Sequence, residues 1–277
     1  MNLATWADAP TRSLTAPWRG RRLQQLLWGA GTVVVLIALW FVATTVLGLV
    51  SPLALPAPQT VLARFVTLSS SDYVGETLWG HAAASVRIVG IGWALAGLIG
   101  VPLGVAMSWS RRARNLTYPV FQVLRSIPPI AWIPLAILWF GIDSSARVFI
   151  VVIAAVVPWT INSAEAVRGV DPLLVRAAVN LGAGRRMLTS VVLPAGLPTL
   201  LAGARIALGN AWTALVAAEL LAATSGLGFV ALNASRALDT PTMLAAMFVI
   251  GALGILFSFV LLGVARLVAP WSRGSDG

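Results

Sequence analysis

The sequence contains no cysteine and, among its 19 basic residues, no lysine; it has one histidine, two tyrosines and only nine acidic residues. Each absence excludes chemistry. Without cysteine there is no disulfide framework and no thiolate metal site. Without lysine there is no GxxxxGK[ST] phosphate loop, so the chain is not expected to hydrolyse ATP itself. His81 alone makes neither a histidine metal cluster nor a proton relay, and it has no triad context. An interfacial polar role beside a membrane span is the plainer expectation for it.

Charge is also scarce. Charged residues make up 10% of the 277 positions, against about 25% in soluble domains, and 58% are hydrophobic. A chain this apolar belongs in a bilayer, where only helices and closed barrels satisfy the backbone. Long unbroken apolar runs, rather than ten-residue alternation, select helices. The fold class expected is an all-α polytopic membrane protein. The net charge of +10 and a pI near 11.8 fit nucleic acid in isolation. Here the arginines cluster in short segments between apolar runs, which is the positive-inside pattern, so no nucleic-acid partner is expected.

Six spans are expected, at about 23–50, 86–108, 117–140, 147–161, 193–223 and 242–268. Residues 1–22 read as a disordered cytoplasmic tail and 269–277 as a second tail. From Leu23 to Ala63 no charge occurs. That run is too long for the roughly 7–15-residue core of a signal peptide, so it reads as a retained span. Thirteen arginines fall in segments assigned to the inside, while Arg64, Arg147 and Arg236 fall outside. This bias places both termini in the cytoplasm. Gly97, Gly100 and Gly104 lie at helical spacing in the second span and permit close helix approach.

The third span carries Pro119, Pro128, Pro129 and Pro134. Prolines remove backbone donors, so a broken or kinked helix is expected, lining a pathway or serving as a packing element. Arg125, Ser126, Pro128, Pro129 and Trp132 are candidate pathway residues there. Arg125 could attract an anion, or pair with the Glu165 region. The fifth span holds Arg205 and Glu219, about 21 Å apart along one helix. At membrane depth each charge costs about 2.5–3.5 kcal/mol unless it finds a partner, a cavity or an interface. Arg205 is placed near the inner end, within snorkelling reach. Glu219 is either a pathway residue or a cap on the Ser225–Gly228 turn.

Between the fourth and fifth spans, residues 162–192 form a polar interruption. Asp171 and Pro172 read as an N-cap and first helical residue, and Gly182 as the closing glycine. Leu173, Leu174, Ala177, Ala178 and Leu181 fall on one face. Taken alone, this is an amphipathic loop helix.

Four segments carry a family resemblance. The loop resembles the EAA loop of ATP-binding-cassette (ABC) importer permeases through Ala177, Ala178, Gly182, Leu193 and Pro194, with Arg176 where the family has glutamate. YPVFQVLRSIPPIAWIPLAILWFGI resembles the signature of the sulfonate, taurine and nitrate permeases, with Ser126 in place of a frequent proline. LPAPQTVLARF and AAELLAATSGLG resemble further segments of the same group. The resemblance implies a type I importer permease in the bacterial inner membrane. It would act as a pair of identical chains with separate ATPase subunits that carry the ATP and magnesium, and with an external solute-binding protein. It also implies that Leu174, Arg176, Ala177, Ala178, Leu181, Gly182, Leu193 and Pro194 form the ATPase-coupling element. A small anion is the implied solute, with bicarbonate or a pyrimidine vitamin precursor as alternatives. A secondary transporter would want more spans or membrane carboxylates, and a membrane enzyme would want clustered catalytic residues.

Overall fold

The computed structural model describes residues 18–271. Most of the expected N-terminal tail, residues 1–17, and residues 272–277 of the second tail lie outside that range. Two units are distinguished, residues 1–60 and 61–277. In the first, α1 (Trp18–Phe41) continues through a π turn, Val42–Val46. Helical winding thus starts five residues before the expected Leu23, because no proline interrupts it after Trp18. The Trp40 indole donates to the Pro56 carbonyl at 3.1 Å. Helix α2 (Pro58–Ser70) opens on a proline, which suits a first helical position.

The second unit is a bundle of long helices: α3 (Leu78–Trp109), α6 (Ser144–Arg168), α8 (Leu193–Ala222) and α10 (Thr240–Val268). With Leu27–Val46, five segments are long and apolar enough to cross a membrane. The sixth is broken: α4 (Arg111–Ser126) and the stretch Pro129–Phe140, which includes α5 (Ile133–Phe140), bend by 89°. Pro128 and Pro129 withhold two N–H donors at the bend, and a 3-10 turn, Pro129–Trp132, fills it. No strand occurs among the described residues.

Helix α3 starts at Leu78, eight residues before the expected span. The Thr77 hydroxyl accepts the Gly80 N–H at 3.2 Å and fixes that start. The expected loop after α8 contains a further helix, α9 (Leu227–Arg236), with Leu227, Val230 and Ala234 fully buried. Arg205 departs most from expectation. Winding toward α8 begins at Leu188 in a π turn, because Pro194 cannot serve as a donor and its ring crowds the carbonyl four residues back. Arg205 therefore sits near the middle of the Leu188–Leu221 span, about 18 Å along the axis from Leu193, beyond snorkelling reach of that end.

Helices α3 and α6 run side by side on small residues. Gly92 faces Val151, Gly97 faces the Trp159 ring, Gly100 faces Val156 and Trp159, and Gly104 faces the Thr160 carbonyl. The Trp159 indole donates to Trp93 O at 3.3 Å, the Trp93 indole to Ala204 O at 3.0 Å, and Ser108 Oγ to Ala164 O at 3.0 Å. Helix α8 runs antiparallel to α6 and buries Ala204, Ala207, Ala211, Ala214 and Ala218. In a bilayer, helices associate through this close van der Waals fit, since lipid is as apolar as leucine.

Beside the α10 start, Arg64 pairs with Asp239 at 2.8 Å and its Nε donates to Thr242 Oγ1. Asp239 caps α10 by accepting the Thr242 N–H at 3.2 Å. Partial burial pushes its carboxyl up, but the Thr242 hydroxyl and N–H, then Arg64, outweigh that and hold it below the ordinary aspartate value.

Two outcomes follow. Gly104→Ala is expected to cost about 1–3 kcal/mol, because its Cβ meets α6 backbone, whereas Gly90→Ala, with open space, should be neutral. Thermal unfolding in detergent compares them. Because the folded Asp239 pKa is lowered, its contribution is complete above the unfolded value, about 3.9, and is lost as pH falls through the folded value. Asp239→Asn should therefore lower the unfolding temperature at neutral pH, with the difference from wild type shrinking in acid.

Candidate functional site

The polar interruption folds as expected from its end signals. Asp171 Oδ1 accepts the Leu173 N–H at 2.8 Å and Pro172 opens α7 (Pro172–Asn180). The helix closes in a Schellman motif: Ala183 N–H donates to Ala178 O and Gly182 N–H to Val179 O, each at 3.0 Å. Gly182 holds φ +79°, where a Cβ would be strained.

The structure divides the residues of this element. Val175 and Ala178 turn inward, and Ala178 packs with Val170, Met187 and Val192. Leu174, Arg176, Ala177, Leu181 and Gly182 stay exposed, Leu181 at 88%. Ala178 thus anchors the helix and does not lie on its outer face. Leu173, 70% exposed, joins that face instead. Leu193 is half-buried and Pro194 exposed at the start of α8. The result is a short capped helix that presents leucines to solvent and is held rigidly by its other side.

At the break in the third span, Arg125, Ser126 and Pro128 are exposed, while Pro129 and Trp132 are half-buried. Ser126 Oγ donates back to Gln122 O at 2.8 Å. The Trp132 ring packs edge-on to Phe149, and its indole nitrogen has no partner among the described residues. Arg125 forms no ion pair among the described residues, so the pairing with the Glu165 region is not made.

Glu219 is not brought to that break. Its side chain is fully buried at the end of α8. Ser85 Oγ donates to Oε1 at 2.7 Å and the Gly228 N–H donates to Oε2 at 2.9 Å. The Leu227 N–H donates to Ser85 Oγ at 3.0 Å, and the Gly226 N–H to His81 Nδ1 at 3.2 Å. With Nδ1 accepting, His81 Nε2–H donates to Tyr73 O at 2.9 Å. Arg147, counted above as an outside-loop residue, is buried, and its Nη1 donates to Ser225 O at 2.7 Å. Every N–H of the 226–228 turn therefore ends on a buried side chain from α3 or α8.

The sequence reading missed His81 and Ser85. His81 is 1% exposed and structural, where an interfacial position was expected. The available signal was the SGLG turn itself. Gly226 has φ +118°, and a Cβ on Gly226 or Gly228 would run into the Glu219 side chain. Glycines placed so close to a glutamate indicate a backbone folded over a carboxylate.

Glu219→Gln is expected to keep the fold, since an amide can accept from Gly228 and donate to Ser85. Glu219→Leu strands both partners at about 1–3 kcal/mol each, and Gly226→Ala should destabilise comparably. Unfolding midpoints of the three variants in detergent rank them.

Comparison with known proteins identifies the family and the fold. The model of the "Binding-protein-dependent transport system inner membrane component" family matches residues 96–274. The taurine transport system permease protein TauC of Escherichia coli is 38% identical over 92% of this chain and 93% of its own length. The putative aliphatic sulfonates transport permease protein SsuC of Escherichia coli is 38% identical over 86% of this chain and 89% of its own. The formylaminopyrimidine transport permease protein ThiX of Halalkalibacterium halodurans is 28% identical over 86% of this chain and 93% of its own. In fold, the chain resembles an inward-facing MetNI methionine ABC transporter structure at a TM-score of 0.61 and 20% identity, over 67% of this chain and 93% of that one. The chain therefore belongs to the family of inner membrane components of binding-protein-dependent transport systems, as a multi-pass permease subunit of an ABC importer.

Proposed function

We propose that the chain carries a small sulfonate-like oxyanion across the membrane, delivered by an external binding protein and driven by ATPase subunits that grip α7. The observation that carries the solute class is the similarity to the taurine permease along nearly the whole of both chains. The exposed leucines of a helix locked at both ends support the gripping role. A rigid helix whose apolar face enters a groove transmits movement of the groove wall, as in helix-in-groove recognition. Two copies of the chain enclose the path, with both termini and α7 in the cytoplasm. The chain supplies no ATP site: with no lysine and no phosphate loop, ATP and magnesium belong to the ATPase partner.

The test is reconstitution in vesicles with candidate ATPases and binding proteins. Taurine-loaded binding protein is expected to raise ATP hydrolysis and drive taurine uptake, and formylaminopyrimidine-loaded protein to do neither. The opposite ranking would overturn the solute class. For the coupling role, Leu174→Asp combined with Leu181→Asp should abolish uptake and co-purification of the ATPase, while the thermal unfolding midpoint stays unchanged because neither side chain is buried. Normal uptake in that variant would remove α7 from the drive.

A further inference from the structure

Helix α8 has two faces of different kinds. One buries alanines against α3 and α6, as described. The other leaves Arg205, Gly209, Asn210 and Thr213 exposed. These residues lie at membrane depth. The Trp93 indole binds the carbonyl of Ala204, next to Arg205, and Trp93 is near the midpoint of the 32-residue α3. Arg205 makes no ion pair or hydrogen bond among the described residues, and the same holds for the Asn210 side chain. Thr213 bonds only back to Gly209 O at 3.1 Å.

Neighbouring α10 provides the contrast. Its exposed residues at comparable depth include Ile255, Leu256, Phe259 and Val260, each at least half exposed. That face suits lipid tails. An arginine and an asparagine without partners do not, because lipid offers no hydrogen bonds and no counter-charge. On the side that faces α10, Arg205 has no room for a solute. The cleft it shares with Trp212, Gly254 and Ser258 measures about 30 Å³, room for about one water. Whatever meets the guanidinium comes from the open face of α8.

We propose that the Arg205–Gly209–Thr213 face of α8 lines the aqueous path of the solute, and that Arg205 is the side chain that selects an oxyanion there. A guanidinium offers a planar fork of donors that matches two oxygens of a sulfonate or similar group. The permanent positive charge favours anions over cations and neutral solutes along the path. This rests on the proposed oxyanion solute for its biological meaning, but the charge selectivity of the face is testable without it.

The native sequence has no cysteine, so single cysteines can be labelled without background. Gly209→Cys and Thr213→Cys sit one and two turns beyond Arg205, and a Cβ at 209 meets nothing within 4 Å. The full chain is reconstituted in vesicles and treated with membrane-impermeant methanethiosulfonates carrying either a sulfonate or a trimethylammonium group. Both positions are expected to react, with Phe259→Cys on α10 inert. The anionic reagent should react about tenfold faster than the cationic one, and that preference should vanish with Arg205→Gln added. Equal rates for both reagents would overturn the anion-selecting role of Arg205. No labelling at 209 and 213 beyond that at 259 would overturn the aqueous face. In the transport assay with saturating taurine-loaded binding protein, Arg205→Gln should lower the maximal uptake rate at least tenfold and Arg205→Lys less so; an unchanged rate would also reject the selecting role. If the wild-type chain labels with anion preference but takes up no taurine, the face stands and the choice of solute falls.

Discussion

A buried backbone has no water to satisfy its polar groups, and the turn at 226–228, enclosed by protein, meets that constraint with side chains alone. The chain must leave α8 and re-enter α9 through three consecutive N–H groups that point inward. Glu219, Ser85 and His81 accept all three, and Arg147 donates to the carbonyl just before them. These side chains come from α3, α6 and α8, so satisfying one turn also fixes the relative positions of three long helices. The knot extends to Tyr73 through the second nitrogen of the His81 ring. Removing an acceptor here strands a donor, a larger penalty than the hydrogen bond itself contributes in water.

The rest of the bundle is arranged to let those groups meet. Glycines on α3 bring it against α6, and an alanine face brings α8 against both. Tryptophan indoles at mid-depth then reach across to backbone carbonyls of the neighbouring helix. The opposite end of the bundle is different in kind. Helix α7 is held by one buried face around Ala178 and offers the other to solvent. The capped α7 is joined to the bundle through the cluster of Val170, Ala178, Met187 and Val192, which leads directly into the start of α8.

Much of this is legible in the sequence, and the legible parts are local. Asp171, Pro172 and Gly182 state the ends of α7 through backbone chemistry that needs no neighbour. The paired prolines 128 and 129 break the third span wherever it packs. Glycine spacing in α3 anticipates close contact, though not with which helix. What the sequence conceals depends on partners far along the chain. His81 reads as an interfacial residue until the 226–228 turn is folded over it. Ala178 belongs to the same apolar stripe as Leu181, and only the position of Val170, Met187 and Val192 decides which of the two is buried. Arg147 counts as a loop charge because nothing local shows that Ser225, so distant in sequence, closes on it. Arg205 was expected within snorkelling reach of the inner end, yet twelve residues, about 18 Å, already separate it from the expected start at Leu193, and the π turn adds to that distance.

Helix α7 is anchored through its inner face, and we propose that its outer face receives the ATPase. The most direct measurement is site-specific cross-linking in the assembled transporter, again with the cysteine-free chain as background. A cysteine at Leu181 is expected to cross-link to the ATPase subunit in high yield through a short thiol-reactive linker, while one at Ala178 remains unreactive. Cross-linking at Ala178 and not at Leu181, or at neither while transport persists, would contradict the account.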